Sequence, residues 1–456
     1  MRVRITPGPT VEGTVRVPGD KSIAHRWLIL AATARGRSAL VDLPGSLDVR
    51  STASSLAGVS GKAGPALEAW ASNDPSSAEG HGSTWNVRVP GSVVTPLEVE
   101  GEGRAGLIAP TRDLDCGNAG TAMRLLAGVM ASAPYHSVLT GDGSLRARPM
   151  DRVAEPLRAM GAGIETDEGH APLRIDGGGL VGITYPTEVP TAQVKSAILF
   201  AGLDADGLTT VVEPAPTRDH TERAIRALGG PILLEGSAIS VSRFQHDGFD
   251  AAVPGDPSSA AFLVAAAAIS GSELTIDDLG LNPTRLHYLE VLARMGVRTE
   301  RRIEREELGE PVGQLWVAPC PGLRSVRVEA SEIPLIIDEI PMLAMLAQLA
   351  NGDSRFSGAG ELKVKESDRL TAIAQGIIDL GGHAGVEGDD LVVVGGGLDG
   401  GRAVSGGDHR MAMALIAAAI GARGPVEVEG AEVAAVSFPG FVETLSRLGA
   451  SIEVLA

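Results

Sequence analysis

KSIAHRWLILAATARGRSALVDL, residues 21–43, reads as a polar opening, a helix of small apolar residues and a short strand. The pattern returns as NAGTAMRLLAGVMASAPYHSVLTG from Asn118, TAQVKSAILFAGLDADGLTTVVEP from Thr191 and DPSSAAFLVAAAAISGSELTIDDL from Asp256. It comes twice more, as DEIPMLAMLAQLANGDSRFSGAG from Asp338 and DHRMAMALIAAAIGARGPVEVEGA from Asp408. Six copies, 65 to 97 residues apart, make an internally repeated chain.

A second pattern alternates with the first: an amphipathic helix, a Gly, then a strand. It is clear at 150–165, 220–235, 284–300, 368–387 and 438–454, and blurred at 48–61. The Gly after the last apolar turn is the left-handed cap expected there. Each repeat therefore reads β-α-β-α-β-β, and six repeats divide most simply into two domains of three. The stretch 61–85, rich in Gly, Ser and Pro, reads as an exposed loop. RRIEREELGEPVG, 301–313, reads as a solvated hairpin tip.

Composition narrows the class. A chain of 456 residues is too long for one ordinary core. Aromatics are 3% against 44% hydrophobic residues, so Ala, Val, Leu and Ile must build the interior. A net charge of −18 argues against nucleic acid or an anionic membrane as partner. The two cysteines, Cys116 and Cys320, cannot frame a disulfide-dense fold and fit a reducing cytoplasm. MRVRITPGPTVEG has no apolar signal core, and the apolar helical runs are too short to span a bilayer.

In so acidic a chain, local clusters of cations carry information. VKESDRL, 364–370, sits where a helix opens, with Lys365, Glu366, Asp368 and Arg369. Asp368 suits the positive end of a helix; Lys365 and Arg369 do not unless an anion faces them. The same mismatch recurs at Lys21 and Arg26, at Arg124 with Arg146 and Arg148 downstream, at Lys195, and at Arg410 beside Asp408 and His409. Any one cluster is an ordinary charged turn. Five together, if they converge, form an anion trap wide enough for a phosphate and a carboxylate. Asp338 and Glu366 are then the carboxylates available for proton transfer. No HExxH, CxxC, Walker A loop, dinucleotide fingerprint or GxSxG elbow is present.

PGDKSIAHR, GNAGTAMR, TAQVKSAIL, GDPSSAAF, VKESDRL and DHRMAM, in this order along the whole chain, resemble the 3-phosphoshikimate 1-carboxyvinyltransferase (EPSP synthase) family. The resemblance implies an α/β inverse α/β-prism of two globular domains, each of three β-α-β-α-β-β units. It places residues 1–20 with 255–456 in one domain and 21–254 in the other, with the active site in the cleft between them. It implies transfer of the enolpyruvyl group of phosphoenolpyruvate to the 5-hydroxyl of shikimate 3-phosphate, with no metal or organic cofactor, by a cytoplasmic monomer. Lys21, Asp338 and Glu366 take the catalytic positions. Lys21, Ser22, Arg26, Thr191, Ala192, Gln193, Arg218, Asp338 and Lys365 fall where the family binds shikimate 3-phosphate. Lys21, Asn118, Gly120, Arg148, Gln193, Arg369 and Arg410 fall where it binds phosphoenolpyruvate. Asp48, Thr121 and His409 match supporting positions.

The chain departs from the family pattern in two places. Leu125 stands where many members have Pro, and Val436 where many have Lys. TAQVKSAIL, TRDHTE and GDPSSAAF are similar to a second class whose members often tolerate glyphosate, yet Gly120 is the residue of sensitive members. A rival resemblance, to UDP-N-acetylglucosamine enolpyruvyltransferase, expects Asn after the first Lys and a reactive loop Cys; here Ser22 follows Lys21. A non-enzymatic repeat scaffold would spread its charges over solvated faces instead of gathering them at helix openings.

Overall fold

The computed structural model describes residues 1–73 and 96–455. They form two compact units, one of residues 1–18, 254–305 and 311–456, the other of 19–253 and 306–310.

All six apolar stretches are helices. Pro257–Ser270, Ile340–Leu349 and His409–Ala419 lie in the first unit, Lys21–Thr33, Gly120–Ser132 and Ala192–Gly202 in the second. Nearly every residue in them is buried, which is why they are apolar all round instead of striped. Small residues let them approach closely. A Cβ on Gly128 would stand 2.2 Å from the Ala197 carbonyl oxygen of the neighbouring helix. The outer helices, such as Asp151–Ala159 and His220–Ala227, bury only one face.

The sheets repeat one plan. Thr209–Val212, which follows a buried helix, pairs parallel with Thr184–Pro186 and antiparallel with Ala238–Val241. Ala238–Val241 in turn pairs with Ile232–Glu235. His136–Thr140 and Asp353–Phe356 sit in sheets of the same order. Two strands explain where the chain changes unit. Gly13–Arg16 pairs with Leu274–Gly280 in the first unit, and Asp250–Ala252 pairs with Arg35–Val41 in the second. The last sheet of the first unit is completed by the start of the chain. Arg2–Thr6 lies between Val426–Glu429 and Ser451–Leu455, antiparallel to both.

Two loop readings change. Within 61–85, Gly64–Ser72 is a helix that buries Leu67, and Arg50 lies 5.7 Å from the centre of the Trp70 ring. Pro65 in its first turn initiates a helix, because the N–H it lacks would have had no helical partner. Residues 74–85 lie outside the described residues. The hairpin Thr299–Glu307 and Glu310–Val317 is exposed along its first strand, but Glu310 is fully buried and accepts from His220 Nδ1 at 2.8 Å. A histidine partner turns that carboxylate inward.

Candidate active site

Three buried helices of the first unit bring their openings together. Ser258, in the first turn of its helix, donates to Glu339, which precedes the Ile340 helix. Arg410 Nη1 donates to the Asp338 carbonyl at 3.2 Å, and Nη2 stands 3.4 Å from Asp338 Oδ2. Arg369 opens its own helix and is 1% exposed. Its Nε donates to Asp408 Oδ2 at 2.7 Å, Nη2 lies 2.5 Å from Glu366 Oε2 and Nη1 3.7 Å from Asp338 Oδ1. Burial works against the Arg369 charge, but Glu366, Asp408 and Asp338 outweigh it, so the guanidinium is held more firmly charged than in water. The Asp408 carboxyl is held below its ordinary range, since Arg369 overcomes the burial that would raise it. His409 is buried beside it in the first helical turn.

Lys365 differs. It is half-buried and makes no hydrogen bond or ion pair among the described residues. Burial pushes its ammonium below the ordinary lysine range, with Asp338 and Glu366 opposing that shift and Arg369 adding to it.

In the second unit the openings also converge. Gln193 accepts from Arg124 Nη1 at 2.8 Å and donates to Thr121 Oγ1 at 2.9 Å, tying two helix starts. Thr191 and Ala192 form the first turn of the Ala192 helix. Arg26 Nη2 donates to Ser196 Oγ at 2.8 Å, tying in the third helix, and Nη1 donates to the Ser22 carbonyl at 2.8 Å. Burial lowers the Arg26 guanidinium to about 10, which still leaves it charged. Lys21 Nζ lies 2.6 Å from Asp48 Oδ2. His25 Nδ1 meets Thr52 Oγ1 at 2.6 Å, and burial pushes this imidazole down to about 3, so it stays neutral. Arg218 is half-buried just before the His220 helix.

Arg148 is the second unit's counterpart to Lys365. It is half-buried, and its partners among the described residues are neutral: Asn118 Oδ1, and Ser144 Oγ at 3.4 Å. Its Nε is buried without a hydrogen bond. Asn118 is itself fixed by donating to Asp142 at 2.8 Å. Gly120 faces this group, for a Cβ there would stand 2.8 Å from Arg124 Nη1 and 3.2 Å from Arg148 Nη1.

Two expected cations do not join. Arg146 stays exposed. Lys195, expected to face an anion, is instead buried one turn into its helix between Glu213 and Glu222. Three carboxylates carry a capping role not assigned from the sequence, where only Asp408, beside Arg410, is singled out. Asp20, Asp256 and Asp408 cap their helices, accepting from Ile23, Ser258 and Arg410 N–H at 3.0, 2.8 and 2.9 Å. The signal was present: a Gly-Asp pair precedes each of these helices. Such caps supply part of the negative charge that makes cations tolerable at a helix start.

Cys116 is fully buried, and burial pushes its thiol up to about 12, which leaves it unreactive. Among the described residues no cluster of His, Cys, Asp and Glu is placed to hold a metal, and no helix is long and apolar enough to cross a membrane.

The family pattern described as EPSP synthase (3-phosphoshikimate 1-carboxyvinyltransferase) matches residues 5–63 and 93–445. The 3-phosphoshikimate 1-carboxyvinyltransferase of Halorhodospira halophila is 44% identical over 99% of this chain and 97% of its own length. That of Acidithiobacillus ferrooxidans is 42% identical over 99% of both chains. The structure of EPSP synthase from Acinetobacter baumannii superposes with a TM-score of 0.83 at 38% identity, covering both chains completely.

Proposed function

The chain belongs to the EPSP synthase family, and from that premise we propose how its own residues carry the reaction of a 3-phosphoshikimate 1-carboxyvinyltransferase. The enzyme transfers the enolpyruvyl group of phosphoenolpyruvate to the 5-hydroxyl of shikimate 3-phosphate and releases phosphate. Both substrates are phosphorylated carboxylic acids. The observation that carries the assignment of roles is the pair Arg148 and Lys365, half-buried cations without a carboxylate partner among the described residues. Holding such charges away from water is unfavourable until an anion joins them.

Lys365, with Lys21, Ser22, Arg26, Thr191, Ala192, Gln193, Arg218 and Asp338, is assigned to shikimate 3-phosphate. Arg148, with Lys21, Asn118, Gly120, Gln193, Arg369 and Arg410, is assigned to phosphoenolpyruvate. Asp338 accepts the proton of the 5-hydroxyl as that oxygen attacks C2 of phosphoenolpyruvate. Glu366 and Lys21 deliver a proton to C3, giving a tetrahedral ketal phosphate. Withdrawal of a proton from C3 then re-forms the double bond as the C–O bond to phosphate breaks. Asp48 holds the Lys21 ammonium, and Thr121 holds Gln193. His409 supports the start of its helix. The enzyme is read as a cytoplasmic monomer, and the two buried free cysteines fit a reducing compartment.

The test is phosphate release with phosphoenolpyruvate, alone and with shikimate 3-phosphate. Turnover that requires both is expected; turnover only with UDP-N-acetylglucosamine as acceptor would sink the reading. Gly120→Ala is expected to push the Arg124 guanidinium and, behind it, that of Arg148, and to raise KM for phosphoenolpyruvate about tenfold, or ~1.4 kcal/mol of binding. KM for shikimate 3-phosphate should hardly move. Equal change in both would mean that the displaced Arg124 carries Gln193 with it.

A further inference from the structure

Lys195 has no part in the chemistry above, yet its side chain is 2% exposed and charged. Its Nζ lies 2.9 Å from Glu213 Oε2 and 2.7 Å from Glu222 Oε1. Glu213 and Glu222 are 6% and 3% exposed. Glu213 also accepts from Thr217 Oγ1 in the loop that leads to Arg218. Glu222 lies on the His220 helix beside Thr221, whose Oγ1 accepts from Arg26 Nε at 2.7 Å and donates to Ser196 Oγ at 2.8 Å. Lys195 is itself bound into the first turn of the Ala192 helix, its N–H donating to the Thr191 carbonyl at 3.1 Å. One buried cluster thus connects Arg26, the Arg218 loop and the turn carrying Thr191, Ala192 and Gln193.

The charges decide what the cluster does. Lys195 and Arg26 are positive and Glu213 and Glu222 negative, so the buried group is balanced. We propose that Lys195 is a positioning residue for shikimate 3-phosphate, the interior counter-ion that fixes Arg26, Arg218 and the Thr191 turn through Glu213 and Glu222. The inference rests on the assignment of those residues to shikimate 3-phosphate. Without Lys195, two carboxylates confined in the interior share one cation, and one of them must take up a proton. Burial already raises the Glu222 carboxyl despite Lys195. Asp20, Arg218 and Asp219 also face the group, as does Glu310, paired with His220. Lys195 is the cation in direct ion-pair contact with both Glu213 and Glu222.

In the full chain, Lys195→Met is expected to raise KM for shikimate 3-phosphate at least tenfold while kcat and KM for phosphoenolpyruvate change less than about threefold. The rise should grow as pH increases, as the borrowed proton is lost. The charge-balanced double variant Lys195→Met with Glu213→Gln should recover most of the loss and its pH dependence. An unchanged KM for shikimate 3-phosphate, a parallel fall in all parameters, or a double variant no better than the single overturns the proposal. If Lys195→Met does not fold, Thr217→Val serves instead. It frees the second oxygen of Glu213, and a selective rise of about threefold is expected in the same KM; no rise overturns the proposal. Failure of the unaltered chain to use shikimate 3-phosphate would overturn the assignment beneath it, so the two failures are distinguishable.

Discussion

Glu366→Gln is expected to lower kcat by about 10²- to 10⁴-fold, roughly 3–5 kcal/mol of transition-state stabilisation. Glutamine keeps the shape of the side chain and an oxygen for Arg369, which lies 2.5 Å from the native carboxylate. It cannot give a proton to C3 of phosphoenolpyruvate or take one back. Arg369 retains Asp408 at 2.7 Å and Asp338 at 3.7 Å, so the fold survives. Steady-state phosphate release, with a thermal melt as control, measures both. Full turnover in a folded variant would remove Glu366 from the proton path.

Arg369→Met has the largest expected effect on stability, a loss of roughly 3–5 kcal/mol, because it strands a carboxylate in the interior. Asp408 is fully buried and loses its Nε–H donor, while the backbone N–H of Arg410 and the Ser367 hydroxyl remain. The sign of the pH dependence at this position also changes. In the native chain the Asp408 carboxyl is held below its unfolded value of about 3.9, so its contribution is complete above that pH and is lost as pH falls through the lowered folded value. In the variant, burial without Arg369 raises that carboxyl. Folding then favours the protonated form, and stability falls as pH rises above about 3.9. Urea unfolding at about pH 5 and pH 8 reads the difference. A variant no less stable at pH 8 than at pH 5 would show that Asp408 had found another cation.

The helices were legible because each carries its own local signal. Six all-round apolar runs and five amphipathic runs ending in Gly stand in the structure where the sequence puts them. What was not legible is long-range. Nothing near Lys195 in sequence says that Glu213 and Glu222, 18 and 27 positions on, will close around it. A cation at a helix opening therefore read as a ligand group when it was a counter-ion. Arg369 and Asp408 are 39 positions apart, and only packing brings them to 2.7 Å. The Gly64–Ser72 helix was lost to composition, since Gly and Pro outweighed the buried Leu67 and the Trp70 beneath Arg50. The contrast between Arg148 and Arg369, one with neutral partners and one with three carboxylates, is also a packing result invisible in either motif.

The strand Arg2–Thr6 is synthesised long before the two strands that flank it, Val426–Glu429 and Ser451–Leu455. At 5–20 residues per second, between about 20 and 90 s of synthesis separate Val3 and Ile5 from the strands that will cover them. Both side chains end fully buried, so for that interval they are exposed β-forming surface on a nascent chain. The unit of residues 19–253 and 306–310 is synthesised in the meantime, and the other cannot close until Val426–Glu429 and Ser451–Leu455 follow. Slowing elongation between these strands therefore lengthens the exposure of Val3 and Ile5, and holdase chaperones would find their natural target at Arg2–Thr6.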